Sequence, residues 1–391
     1  MLRAAFVLVL GVLASGCVGS SPPPPPAPAE YPYAIPLVNG TGYEYTVLLT
    51  NTTAFVSADF AADGSAFAAC QDDGYVHAWW RNRTLISAWP GHPYAGRGCT
   101  VRFLDNESIV ISDYRTLRAF ALNGSELWSF TVSTTYQSIA RFELGRGGSL
   151  VLLSYGGPYQ NASVRLWDRQ LNTTVEFPVS AGADPLAVDP PYIALAEGGA
   201  VLAISSGDIH GGVTRFYRTT GDPLMEIPRR SGVGLSADGR FGMVGMSADE
   251  TQRDFVIVDL TTSPATARNV TANFTTSTLS FFPTPGRFFV SPTGSFFAFE
   301  TGQQTSHCPS AFSCNSTYES FTRVLRAANV TQDLGFGPGD PLTVEMRDDG
   351  SAVAIAYTRL DLRDPYLSRP ANVVLITAQP GATPPLQNRT N

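Results

Sequence analysis

The chain has 391 residues, 43% of them hydrophobic and 15% charged, which is enough apolar material for a large core and excludes disorder over most of its length. Its 26 basic residues are all arginine and stand against 33 acids, so the net charge of -7 excludes a basic nucleic-acid-binding surface. The 36 glycines and 29 prolines favour many short strands joined by turns over long helices.

In chain order, Met1-Leu2-Arg3, the apolar run Ala4 to Ala14 and the small residues Ala14 and Gly16 form a secretory signal, assigned to 1–16. The cysteine that follows resembles a prokaryotic lipobox, with Ala14 where a leucine is usual and Leu13 one step further off. That resemblance implies a lipidated Cys17 that holds the chain on the outer face of the membrane. Two alternatives stay open: an uncleaved anchor, since Ala4 to Ser21 is 18 residues without charge, and plain secretion. All three export the chain. Residues 17–42 form the stalk, where the run from Ser20 to Pro36 holds only polyproline II, because proline fixes φ and removes donors.

From Tyr43 onward the sequence repeats a short apolar strand, a glycine turn and a second, strongly apolar strand. The turns are Asp63-Gly64-Ser65, Gly147-Gly148-Ser149, Gly198-Gly199-Ala200, Asp238-Gly239-Arg240, Thr293-Gly294-Ser295 and Asp349-Gly350-Ser351, with Asp105-Asn106-Glu107-Ser108 as a degenerate seventh. Their second positions are spaced by 42, 42, 51, 40, 55 and 56 residues, the period of a four-stranded propeller blade. Within the first repeat, strands are predicted at Phe55 to Phe60, Ser65 to Cys70, Tyr75 to Trp80 and Thr84 to Trp89. Second strands such as Ser149 to Ser154 and Ala200 to Ser205 are apolar on both faces, as strands between neighbouring sheets require. The last repeat stops at a third strand, Val373 to Ala378, and the N-terminal strand Tyr43 to Thr50 is expected to supply its fourth.

The expected fold is therefore all-β: a seven-bladed β-propeller of four-stranded antiparallel blades over 43–381, its ring closed by the N-terminal strand, with a flexible tail at 382–391. A pair of β-sandwiches is the main rival. In architecture and turn chemistry the chain resembles the WD40-like and quinoprotein-like propellers. Leu166-Trp167-Asp168 is similar to a WD40 third strand, and Ala121 to Trp128 to the quinoprotein repeat.

Twelve of the 14 asparagines lie in Asn-x-Ser/Thr: Asn39, Asn51, Asn82, Asn106, Asn123, Asn161, Asn172, Asn269, Asn273, Asn315, Asn329 and Asn388. With 69 serines and threonines, chance placement gives between two and three, so dense N-glycosylation of an exported chain is the reading. Together with Cys17 this resembles archaeal cell-surface glycoproteins. Cys70, Cys99, Cys308 and Cys314 form an even set suited to disulfides in an oxidising compartment. Three pairings are open. Cys70 to Cys99 and Cys308 to Cys314 are favoured because each staples a local stretch, contributing ~3.6 and ~2.4 kcal/mol by loop entropy. Zinc is the alternative, with His307 beside Cys308, but no C-x-x-C spacing supports it.

No motif names a reaction. Of the four histidines, His77, His92, His210 and His307, the best catalytic candidate is His210, which Asp208 could orient on a glycine-rich loop; G-x-S-x-G is absent. Asp72-Asp73 and Asp348-Asp349 are turn residues or calcium ligands, and Arg229-Arg230 a solvated loop or an anion contact. Trp79-Trp80 is expected to bury one indole and leave the other across the strand. Long connections between second and third strands, at Tyr155 to Ser163, Ser206 to Gly212, Ser247 to Asp254, Gly302 to Glu319 and Arg359 to Pro370, suggest a binding face. The functional expectation is a membrane-tethered binding or scaffold protein, with an envelope protein or polysaccharide as partner, no nucleic acid and no cofactor. A quinone-dependent dehydrogenase or calcium-dependent, lactonase-like hydrolase on the same scaffold is the alternative, and a structural element of a surface layer a third.

Overall fold

The computed structural model describes residues 43–51, 55–71, 75–80, 85–90, 99–113, 115–132, 138–145, 147–156, 162–179, 191–206, 212–228, 232–245, 254–271, 288–310, 313–326, 329–338, 340–347, 352–358 and 371–378. The chain divides into two units, Met1–Ala34 and Ile35–Asn391, and every described residue belongs to the second. The signal segment, Cys17, the proline run and the tail at 382–391 lie outside the described residues.

The described residues form seven four-stranded antiparallel sheets. The first is β2 (Phe55–Phe60), β3 (Ala66–Gln71), β4 (Tyr75–Trp80) and β5 (Leu85–Pro90); the second is β6 (Cys99–Asp105), β7 (Ser108–Asp113), β8 (Thr116–Ala121) and β9 (Glu126–Thr131). The third holds β10 (Ser138–Gly145), β11 (Leu150–Gly156), β12 (Ser163–Asp168) and β13 (Thr173–Phe177), and the fourth β14 (Tyr192–Leu195), β15 (Val201–Ser206), β16 (Val213–Arg218) and β17 (Pro223–Pro228). The fifth is β18 (Val233–Leu235), β19 (Phe241–Val244), β20 (Asp254–Asp259) and β21 (Thr266–Thr271). The sixth is β22 (Phe289–Val290), β23 (Phe296–Ser310), β24 (Ser313–Arg326) and β25 (Asn329–Pro338). The seventh combines β26 (Asp340–Met346), β27 (Ala352–Thr358) and β28 (Ala371–Ala378) with β1 (Tyr43–Asn51) from the other end of the unit. β1 pairs antiparallel with β28, from Tyr43 opposite Ala378 to Asn51 opposite Ala371, as the missing fourth strand of the last repeat predicts.

The glycine turns place the sheets' second strands. At four first-to-second connections the same bonds recur: Ala61, Ala196, Ser236 and Ser291 donate their N–H to the carbonyl five residues on, and their carbonyls accept from Gly64, Gly199, Gly239 and Gly294. These glycines hold φ between 65 and 76°, a left-handed conformation that L side chains adopt at a cost. At Gly239 a side chain would also press on Ala196 of the preceding sheet, its Cβ 3.1 Å away. In the second sheet Asp105 pairs directly with Ser108, and its carboxylate accepts from the Glu107 N–H and the Ser108 hydroxyl, so a two-residue turn needs no glycine there. The turn at Asp349 lies outside the described residues.

Among the described residues, six apolar clusters join neighbouring sheets. They connect the first sheet to the second through Cys70, Trp89, Val101 and Ile109, and to the seventh through Phe55, Trp79, Ala356 and Val373. Others connect the second to the third, the third to the fourth, the fourth to the fifth, and the fifth to the sixth. Each of the first five sheets is therefore buried on both faces, which is why β3 and β15 are buried at every position rather than at alternate ones. The disulfide Cys70–Cys99, with Cα atoms 6.2 Å apart, crosses from the second strand of one sheet to the first strand of the next.

One segment differs from expectation. Gly302 to Glu319 is not an irregular connection: β23 and β24 continue as paired strands through it, with Thr301 opposite Phe321 and His307 opposite Asn315. Alternating serine, threonine and other polar residues carry no apolar period, yet two such strands satisfy each other's backbone groups in a hairpin. Cys308 and Cys314 lie on opposite arms near its tip; their side chains are outside the described set.

Candidate ligand cavity

First strands touch in sequence, β2 with β6, β6 with β10, β10 with β14, β14 with β18, β18 with β22, β22 with β26, and β26 with β2. A cavity of about 420 Å³ lies where they converge, and the first strand of every sheet contributes to its lining. It is set at the C-terminal ends of those strands, beside the first-to-second turns. That is the end of the sheets opposite the long second-to-third connections on which a binding face was expected. Of those connections, 157–161, 207–211, 246–253 and 359–370 lie outside the described residues.

The charged lining is Asp59, Arg102, Asp105, Glu143 and Glu197. Arg102 is 8% exposed, a guanidinium that burial would leave costly without a partner. Its Nε and Nη2 each donate to a Glu143 carboxylate oxygen at 3.2 Å, and Nη1 donates to the Val101 carbonyl at 2.7 Å. The fork geometry ties the second sheet to the third bidentately. Asp59 of the first sheet accepts from the Phe103 N–H at 2.8 Å, and Ser57 accepts from the Val101 N–H at 3.3 Å, so alternate amides of β6 are satisfied by side chains of β2.

Similar contacts join other neighbouring sheets, mostly away from the cavity. Arg141 on β10 lies 3.9 Å over the Tyr192 ring and donates to the Pro191 carbonyl at 3.3 Å, and the Ser154 hydroxyl donates to that carbonyl at 3.0 Å. Ser205 of the fourth sheet accepts from Gly232 at 2.9 Å, and the Asp238 N–H donates to the Pro292 carbonyl at 3.3 Å. Most charge at the cavity thus joins sheets. Thr343 is the one side-chain hydroxyl among the described lining residues, which also present the carboxylates of Asp59, Asp105, Glu143 and Glu197.

The sequence candidates are distributed elsewhere. His77 is half-buried, its ring stacked on Trp79 at 5.6 Å and beside Tyr75, within an aromatic column that also holds Phe67 and Phe55. Trp79 is buried and Trp80 exposed, as their opposite sides of the strand predict. His92, Asp208, His210, Asp72-Asp73, Asp348-Asp349 and Arg229-Arg230 lie outside the described residues, and the side chain of His307 does too. Among the described residues no group of three or more His, Cys, Asp or Glu can hold a metal ion. Arg102 and Glu143 were missed from sequence because no motif marks them; the available signal was a charge inside an otherwise apolar first strand, in Val101-Arg102-Phe103 and Phe142-Glu143-Leu144.

The sequon asparagines whose side chains are described, Asn106, Asn123, Asn172 and Asn269, are all exposed. Asn106 sits in a first-to-second turn and Asn123 and Asn172 in third-to-fourth turns, which share one end of the sheets. Burial pushes the Tyr155 phenol up to about 12, with the guanidinium of Arg165 opposing, and pushes Tyr217 in the same direction. Asp63 and Asp259 are held below the usual carboxylate range by hydrogen bonds from Ser65 and Thr261 at the turns they cap. No protein-family model matches the chain, and no curated protein matches it.

Proposed function

We propose that the seven sheets are blades of a closed propeller held at the outer face of the cell membrane through a lipid on Cys17, carrying N-glycans, and serving as a binding or scaffold protein of the envelope. The observation that carries the ring is one cavity lined by the first strands of all seven sheets, with those strands touching in cyclic order. The surface setting is supported by twelve sequons, exposed wherever their side chains are described, and by a disulfide of the kind that persists in oxidising compartments. Binding is favoured over catalysis because three of the five charged lining groups, Asp59, Arg102 and Glu143, are engaged in joining sheets and Asp105 in capping its own turn. The partner is an envelope protein or polysaccharide.

Crosslinking of the full chain in intact cells, followed by purification under denaturing conditions, tests the binding role. A discrete adduct with one envelope component supports it; absence of any adduct across crosslinkers of different reach and chemistry overturns it. The mass of the mature N-terminal peptide tests the anchor, with a lipid-modified Cys17 expected and an unmodified or uncleaved N-terminus overturning it.

A further inference from the structure

Six large apolar side chains among the described residues are strongly exposed: Tyr75, Trp80, Leu85, Leu127, Leu171 and Val175. Five of them lie within four residues, along the sequence, of a sequon asparagine between a third and a fourth strand: Trp80 and Leu85 flank Asn82, Leu127 follows Asn123, and Leu171 and Val175 flank Asn172. Apolar surface on a soluble chain calls for a cover, and the sequence places an attachment point for one at each of these spots.

The third sheet shows how such a cover would seat. Asn172 has φ 50°, the left-handed conformation that asparagine tolerates better than most residues, and this turns its carboxamide back over β12. The Trp167 indole N–H donates to Asn172 Oδ1 at 3.4 Å, a long bond that nonetheless fixes which amide atom meets the ring. Nδ2, the atom that takes a sugar, shares the same amide plane beside the indole. Thr174, the hydroxyl residue of this sequon, stands directly opposite Trp167 across the β12–β13 pair. The indole belongs to a half-buried aromatic group: Phe130 lies 4.5 Å and Trp128 6.1 Å from it between ring centroids, and Arg169 caps Trp128 at 4.0 Å. Pyranose rings present an apolar face of axial C–H groups that suits the electron-rich face of an aromatic ring.

We infer that a glycan on Asn172 folds back onto Trp167, so that the first sugar covers the indole and completes the apolar surface between the second and third sheets. This rests on the glycoprotein reading above and adds a docking site for the sugar. By the same placement, a glycan on Asn123 covers the exposed Leu127 beside it.

The test uses the full glycosylated chain. Mass spectrometry first measures occupancy of Asn172, and hydroxyl-radical footprinting then measures oxidation of Trp167 in that chain and in two variants that lose the sugar. Asn172→Asp keeps an acceptor for the indole N–H and tolerates the same backbone; Thr174→Ala leaves Asn172 itself in place. Oxidation of Trp167 is expected to rise several-fold in both variants and to stay unchanged in Asn123→Gln. An occupied Asn172 with unchanged Trp167 oxidation in both variants overturns the docking while leaving the glycoprotein reading intact. An unoccupied Asn172 overturns both at this site.

Discussion

Strands β15 and β17 belong to the same sheet and differ in every position: all six residues of the second strand are buried, and none of the six in the fourth is. The ion pairs follow the same division. Arg102–Glu143 joins two sheets with side chains 9% and 18% exposed, whereas Arg215–Glu226 lies within one sheet at 25% and 55%. Identical chemistry has different consequences because the first pair is surrounded by protein and the second by water, which screens it and competes for its hydrogen bonds. Inner strands decide whether the sheets assemble; outer strands meet solvent and have freedom to carry other features.

The sharpest way to break that division is Phe216→Ala, which empties a fully buried site between the fourth and fifth sheets. A loss of about 4 kcal/mol is expected in denaturant unfolding. Replacing Cys70 and Cys99 together by alanine is expected to cost about 3.5 kcal/mol by the loop-entropy account, with reduction of the unmutated chain giving a similar midpoint shift. For the ion pairs, Glu143→Ala leaves a buried guanidinium uncompensated and is expected to cost about 3 kcal/mol. Glu226→Ala is expected to stay below about 1 kcal/mol and to lose that effect in high salt. Equal costs for the two would remove the contrast between regions. The remaining effect appears only at alkaline pH. The folded Tyr155 phenol keeps its proton to about 12 whereas an unfolded tyrosine releases it near the ordinary value of 10, so its share of stability is intact below about pH 10 and falls as pH rises toward 12. Tyr155→Phe should flatten that part of the alkaline unfolding curve.

Much of this architecture is legible in the residues. Phe55–Phe60 and Tyr75–Trp80 fall where the apolar pattern puts them, and Asp63-Gly64, Gly198-Gly199, Asp238-Gly239 and Thr293-Gly294 mark turns whose hydrogen bonds repeat atom for atom. These succeed because local chemistry, a left-handed glycine or a two-faced apolar strand, is sufficient to specify them. The β23–β24 extension was not legible because its stability comes from mutual pairing of polar strands, which leaves no period in either one alone. The cavity was hidden for a related reason: Asp59, Arg102 and Glu143 are far apart along the chain, and only the placement of successive sheets brings them to one wall.

The pairing of β1 with β28 also sets a timetable. During synthesis β1 has no partner strand until residues 371–378 arrive, so an exposed edge persists until almost all of the unit has been made. Helpers that occupy nascent edges would matter most for this strand, and a stop codon anywhere before β28 would leave β1 without the strand it pairs with.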